Sequence, residues 1–324
     1  DSRKPMSSNP FIADSAVPQR LASLGMERAS AVRQAAEEML TEGRSRLVDK
    51  HGGVLQAADA RALIDRFDLA STRDLMLLLL DTAQAFARPL ISDFHVGAVG
   101  LESETGNLIL GGNVEFPGTH LGNTLHGEGF VFTRAMNRGQ NITVIAIGEA
   151  HPCAHCRQCL AEYAQSDALE LIDPLGHTLT LAQLYPWPFD PAYLGERGAV
   201  PGRVLWPDLA FDTSTDHPAA DLLLEAGRRS HSPYSKCPGA MVLMLEDGAA
   251  VTGAAIESVA FNPTISPLQA ALVDLIAHGY AYAQIKGAML GTVRKGPVDY
   301  GRSSAELLAA IAPQAELTTL GWTP

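Results

Sequence analysis

Apolar positions recur at helical spacing over residues 18–49, at Leu21, Leu24, Ala31, Val32, Ala35 and Met39, with charges between them. That spacing predicts one or two amphipathic helices forming an N-terminal cap. Residues 72–86 are strongly apolar, with Asp74 near the start and Pro89 beyond the end, and predict a buried helix. The pattern then turns β-rich. Residues 94–101 and 108–113 predict two strands around a Ser-Glu-Thr-Gly turn, a hairpin. A helix follows over 125–138, with Asn123 or Thr124 as its cap and Gly139 as its stop. Residues 142–148 predict a strand, 153–165 a helix opened by Pro152, and 169–173 another strand.

Residues 178–215 lose the periodicity. Pro186, Pro188, Pro191, Pro201 and Pro207 punctuate them, and Trp187 and Trp206 supply apolar anchors, so they predict a surface-draped connection. Regular patterning then resumes: helices over 219–230, 268–278 and 303–312, and strands over 240–245, 251–256 and 285–290. Alternating strands and helices predict an α/β chain, a three-layer α/β/α sandwich with a mixed sheet. The second half repeats the first. Ser92 pairs with Ser235, Glu115 with Glu257 and Ile142 with Ile285, at offsets of 142 or 143 residues. The expected organisation is a leader and helical cap (1–55), a catalytic unit (56–177), a connection (178–215) and a degenerate copy (216–324).

Composition narrows the function. Lys plus Arg is 24 and Asp plus Glu is 36, a net charge of −12 that opposes nucleic-acid binding and suits a small uncharged ligand. No apolar run is long enough for a transmembrane helix, and residues 1–9 lack the apolar region of a signal peptide, so no membrane association is expected. Three of the four cysteines, Cys153, Cys156 and Cys159, fall within seven residues. Such clustering points to metal and a reducing, cytoplasmic compartment rather than a disulfide framework.

The chemistry concentrates in His126-Gly127-Glu128 and Pro152-Cys153-Ala154-His155-Cys156. His126, Cys153 and Cys156 supply one nitrogen and two sulfurs, three zinc ligands with the fourth position left for water. Cys153 and Cys156 share one face at a helix start, where the dipole favours thiolate. Zinc lowers the pKa of its water toward roughly 7, and Glu128, beside a ligand, is the proton carrier. Each residue alone has a plainer reading: His126 as a capping histidine, the cysteine pair as a structural half-site. Cys159 is rotated off the ligand face and reads as core, as does Cys237. Arg157 reads equally as a hydrogen-bond donor to a ligand thiolate or as a surface charge. On the repeat offset, His126 falls on Leu268, Glu128 on Ala270 and Cys153 on Lys295, so the second copy lacks every ligand.

His-x-Glu with Pro-Cys-x-x-Cys is the known signature of zinc nucleobase deaminases. With Phe94-His95-Val96-Gly97-Ala98, Gly112-Asn113-Val114-Glu115-Phe116, Pro233-Tyr234-Ser235-Lys236 and Ala260-Phe261-Asn262-Pro263-Thr264, the chain resembles cytidine deaminases of the two-domain, dimeric form. The resemblance implies deamination of cytidine and 2′-deoxycytidine in pyrimidine salvage, one Zn2+ per chain, and a homodimer whose partner closes the pocket near residues 257–262. It also implies that Asn113 and Glu115 bind the ribose hydroxyl, that Phe94 stacks on the nucleoside and that the Gly127 N–H meets the pyrimidine oxygen. For Asn113 the plainer reading is a strand end. The resembled family usually carries alanine at Gly127, glutamine at Gly129, phenylalanine at Cys159 and threonine at His151. The smaller side chains suggest a roomier amine side that admits N4-substituted cytidines. A polynucleotide deaminase and a non-catalytic zinc scaffold are the remaining alternatives.

Overall fold

A computed structural model describes residues 11–44, 47, 50–148 and 151–324. Residues 45, 46, 48 and 49, within the expected N-terminal helices, lie outside the described residues. The elements in order are α1 (Ala16–Ser23), α2 (Gly25–Arg44), β1 (Val54–Leu55), α3 (Ala57–Phe67), α4 (Thr72–Leu78), α5 (Leu80–Ala83), β2 (Gly97–Glu102), β3 (Leu108–Gly112), α6 (Gly127–Arg138), β4 (Ile142–Ala146), α7 (Ala154–Ala161), β5 (Glu170–Ile172) and β6 (Thr178–Thr180). The second half holds α8 (Leu181–Leu184), β7 (Ala210–Phe211), α9 (Ala220–Arg228), β8 (Ala240–Leu245), β9 (Ala250–Ala254), α10 (Pro267–Ala277), β10 (Ile285–Thr292), α11 (Gly301–Ile311) and β11 (Glu316–Thr323).

The long apolar helix expected over 72–86 is broken. The Ser71 hydroxyl accepts from the Asp74 N–H and starts α4, but Leu79 has ψ −2° and splits it from α5. The apolar run Leu75–Leu80 is buried all the same. Gly139, at φ +68°, ends α6 as its position predicts.

Two mixed sheets carry the chain. The first runs β1-β3-β2-β4-β5-β6 and the second β7-β11-β10-β8-β9. In each, one pair is parallel, β4 with β5 and β10 with β11. Leaving β1 aside, the two orders superpose strand for strand, so the repeat read along the chain is also a repeat in space. The final edge differs. β6 follows the first copy, whereas its spatial counterpart β7 precedes the second. The connection expected over 178–215 is therefore not merely draped over the surface. It opens with the edge strand of one sheet and contains the edge strand of the other, where Phe211 stacks on Trp322 with ring centroids 6.0 Å apart.

Strand alternation assigns helices to both faces of the first sheet. A Cβ at Gly97 would meet Leu80 and Ala83 of α5, whereas one at Gly100 would meet Val131 of α6. In the second sheet, a Cβ at Gly253 would meet Ala270 and Ala271 of α10. Helices α6 and α10 pack against each other, so the two α/β/α sandwiches share a continuous apolar core. Their contact carries one buried ion pair, Arg134 with Asp274. Arg134 also donates to the carbonyls of Lys50 (2.9 Å) and Gly52 (2.8 Å).

Structure also corrects the alignment of the copies. The bridge Val114–Leu125 corresponds to Ile256–Ile265. The loop between the bridged residues is two residues shorter in the second copy, which moves the helix starts. His126 therefore aligns with Ser266 rather than Leu268, and Glu128 with Leu268 rather than Ala270. By helix start, Cys153 aligns with Tyr300 rather than Lys295. None of these is a zinc ligand, so the second copy still has the scaffold without the donor set.

Candidate active site

Helix α6 starts later than propensity predicts. Asn123 and Thr124 do not cap it; Leu125 is held extended by a two-way backbone pair with Val114 (2.7 and 2.9 Å), and His126 becomes the N-cap. Gly127 is then pressed against β2, where an added Cβ would sit 3.1 Å from the Ala98 Cβ. Helix α7 likewise starts one residue later than expected. Cys153 is its N-cap, and its sulfur accepts from the Cys156 N–H at 3.4 Å. A sulfur at an N-cap faces unpaired N–H groups, which favours the thiolate.

The two helix starts bring the donors together. His126 Nδ1 lies 3.5 Å from Cys153 Sγ and 3.3 Å from Cys156 Sγ. Zinc bonds of about 2.0–2.1 Å to nitrogen and 2.3 Å to sulfur, at tetrahedral angles, place N and S roughly 3.5 Å apart. The set therefore fits zinc in donor type and in spacing. The Cys156 thiol donates to Cys153, whose pKa falls to about 4, helped by the Cys156 N–H and His126. Cys156, as that donor and as a buried group near Glu128, is pushed up.

Glu128 is 5% exposed, and its Oε2 lies 3.8 Å from Cys156 Sγ. Burial raises its pKa, opposed by a backbone N–H and by His126. Cys159 is buried and its thiol is pushed up to about 12, chiefly by burial, so it is a core thiol as its rotation predicts. Arg157 touches no thiolate. It donates to the carbonyls of Pro152 (2.8 Å) and Leu184 (2.7 Å), bracing the chain just before Cys153.

Asn113 and Glu115, expected at the sugar, both hold the loop before β2. Asn113 donates to the Phe94 carbonyl (2.8 Å) and accepts from the Val96 N–H (2.9 Å). Glu115 accepts from the N–H groups of Ile91 and Ser92 (2.8 Å each) and from the Ser92 hydroxyl (2.5 Å). Burial pushes the Glu115 pKa up, but these donors outweigh it and hold the group below its ordinary value. The loop they fix presents Phe94 at 62% exposure. The second copy keeps the same device, with Glu257 accepting from the N–H groups of Tyr234 (2.9 Å) and Ser235 (3.2 Å) and from the Ser235 hydroxyl.

Sequence reasoning missed the second copy's contribution on this side. Pro263, Thr264, Ile265 and Gln269 line a cavity of about 160 Å3 together with His126, Gly129, Cys156 and Cys159. Gln269 anchors that wall by donating to the Asn123 carbonyl at 2.7 Å. Only the alignment of the copies could have signalled it, because no local pattern links residues 123 and 269.

Comparison with known proteins agrees with this geometry. Residues 70–169 and residues 205–304 match two family models, both described as the cytidine and deoxycytidylate deaminase zinc-binding region. The protein named cytidine deaminase of Vibrio atlanticus is 33% identical, over 85% of this chain and 91% of its own length. Its namesake in Aliivibrio fischeri is 34% identical, over 76% of this chain and 82% of its own length. The donor set, the paired helix starts and the sequence similarity across both copies place the chain in the cytidine and deoxycytidylate deaminase family, with the matched region present twice.

Proposed function

We propose that the chain catalyses hydrolytic deamination of cytidine and 2′-deoxycytidine to uridine and 2′-deoxyuridine, as a step of pyrimidine salvage in the cytoplasm. The observation that carries this reading is Glu128, a buried carboxylate set 3.8 Å from a sulfur of the His126–Cys153–Cys156 group. Zinc held by that group would supply a water of lowered pKa. Burial raises the Glu128 pKa; it would take one proton from that water and pass it to the ring nitrogen, then carry the added hydroxyl's remaining proton to the amine as ammonia departs. A structural zinc site has no use for such a group.

The loop held by Asn113 and Glu115 offers Phe94 as a stacking face. Asn113 keeps one amide hydrogen, and Glu115 keeps lone pairs, for a ribose hydroxyl. The Gly127 N–H, at the helix start, suits the pyrimidine oxygen. A homodimer completes the reading, with Phe261, 64% exposed at φ +65°, covering the partner's pocket. The test is ammonia release from cytidine with zinc measured in parallel. Glu128→Gln should retain the zinc of the His126–Cys153–Cys156 set and lose activity by about 10²–10⁴-fold. A native chain that binds zinc but releases no ammonia from any nucleoside would favour a scaffold.

A second reading, acceptance of N4-substituted cytidines, draws on the same cavity. A Cβ at Gly129 would meet nothing within 4 Å, whereas Gly127 is packed against Ala98 and opens no space. The room therefore lies at Gly129 and Cys159. Turnover of N4-methylcytidine by the native chain and its loss in Gly129→Leu support the reading; no turnover by the native chain ends it.

A further inference from the structure

Strands β4 and β5 run parallel and adjacent, so their carboxyl ends open at one edge of the sheet. The β4 end leads toward Cys153. The β5 end enters a tight turn into β6, with Asp173 just before the turn and His177 just after it. The turn is rigid. Gly176 sits at φ +97°, its N–H donates to the Asp173 carbonyl (3.1 Å), and its own carbonyl accepts from Asp14 (2.9 Å).

Three side chains converge there. Asp173 is 1% exposed and His177 4%. Asp173 Oδ1 accepts from the N–H groups of Leu175 and His177, both at 3.0 Å, which fixes the carboxylate plane. Asp173 Oδ2 then faces two imidazoles, His177 Nδ1 at 2.7 Å and His151 Nε2 at 2.9 Å. Among the described ion pairs Asp173 has no lysine or arginine partner; the two histidines are its only ones. Buried charges are paired or coordinate metals, and a dication held by the three groups would complement this carboxylate.

We propose that His151, Asp173 and His177 form a second metal site, for a divalent first-row cation such as zinc or cobalt, apart from the His126–Cys153–Cys156 set. Two imidazoles and one carboxylate are a donor set of the right softness for such ions. Bonds of about 2.0–2.2 Å at tetrahedral angles put neighbouring donor atoms roughly 3.4 Å apart, so the present 2.7 and 2.9 Å must open by about half an ångström or a little more. The backbone N–H groups on Oδ1 supply the outer support that ligating carboxylates need. His151 keeps 24% of its side chain exposed, which leaves an entry path and room for water on the ion. The ion would tie the segment before Pro152 and Cys153 to the β5–β6 turn.

Cobalt distinguishes the two sites, because only the first has thiolates and hence a sulfur-to-metal charge-transfer band. The native chain, stripped by chelation and titrated with Co2+, should bind two ions, one building that band and one leaving it unchanged. Asp173→Asn should bind one with the band intact. His151→Gln, at a partly exposed position that folding should tolerate, should behave the same way, and Cys156→Ala should bind one with the band lost. Saturation of the native chain at one cobalt with the band complete would overturn the proposal, as would two ions retained in both the Asp173 and the His151 variants.

Discussion

Replacing Asp274 with alanine tests how the two copies are joined. Arg134 is 0% exposed in the α6–α10 contact and would keep its bonds to the carbonyls of Lys50 and Gly52, but no anion. The other nearby carboxylate, Glu102, is already paired with Arg138 at 2.6 Å. Burial pushes the Lys50 pKa down and Asp274 pushes it back up, so the substitution leaves two under-compensated cations rather than one. Removing one partner of a buried pair costs about 3–5 kcal/mol. At a few degrees per kcal/mol for a chain of this size, Tm should fall by roughly 10 °C. Asp274→Asn, which keeps the shape and loses the charge, should fall between. The assay is calorimetry at fixed chain concentration, with zinc content and ammonia release at 25 °C as controls. Those controls should hold, because His126 and Glu128 sit at the far end of α6. A fall of less than about 2 °C for Asp274→Ala would refute the view that this pair is a principal joint.

Gly129→Ala should raise stability by about 0.5–1 kcal/mol, because a Cβ there meets nothing and glycine is a poor helix residue; thermal unfolding checks it, and a decrease would show that the cavity is not open at this point. The Glu115 pKa is depressed in the folded chain, so its contribution to stability is full above the ordinary carboxylate range, near pH 4.3, and is lost as pH falls through the folded value. The stability gap between the native chain and Glu115→Gln should therefore shrink on acidification, and denaturant unfolding that showed it widening would contradict the assigned cause. Trp322→Ala should cost about 3–5 kcal/mol, because the ring is 1% exposed, stacks on Phe211 and donates to the Pro238 carbonyl; a cost under 1 kcal/mol would mean that β7 is not held by it.

The donor set was legible because its spacing is local: one histidine before a helix, and two cysteines three apart at the start of another. The exact helix starts were not. Capping preference favours Asn123 or Thr124, but the pairing of Leu125 with Val114, eleven residues back, overrides it. Helix α3 went unread because only Ala60 and Leu63 are buried along its eleven residues, too few for a clear apolar stripe. Strand β11 went unread because much of it is only half-buried, so Thr318 and Thr319 dilute the alternation. The repeat was visible from three anchors, but its alignment slipped by two residues where a loop is shorter and by five where a connection is longer, and spacing alone cannot reveal deletions or insertions.

The paired carboxylates bear on how kinetic defects are attributed. Glu257 keeps its loop partners in a copy that has no donor set to serve. Holding that loop is thus a demand of the architecture itself, met whether or not a sugar ever arrives. A slow Glu115 variant therefore confounds two losses, of the proposed ligand contact and of the platform beneath Phe94. Glu257→Gln, followed by denaturant unfolding rather than by turnover, reports what such a loop contact is worth to the fold where no donor set depends on it.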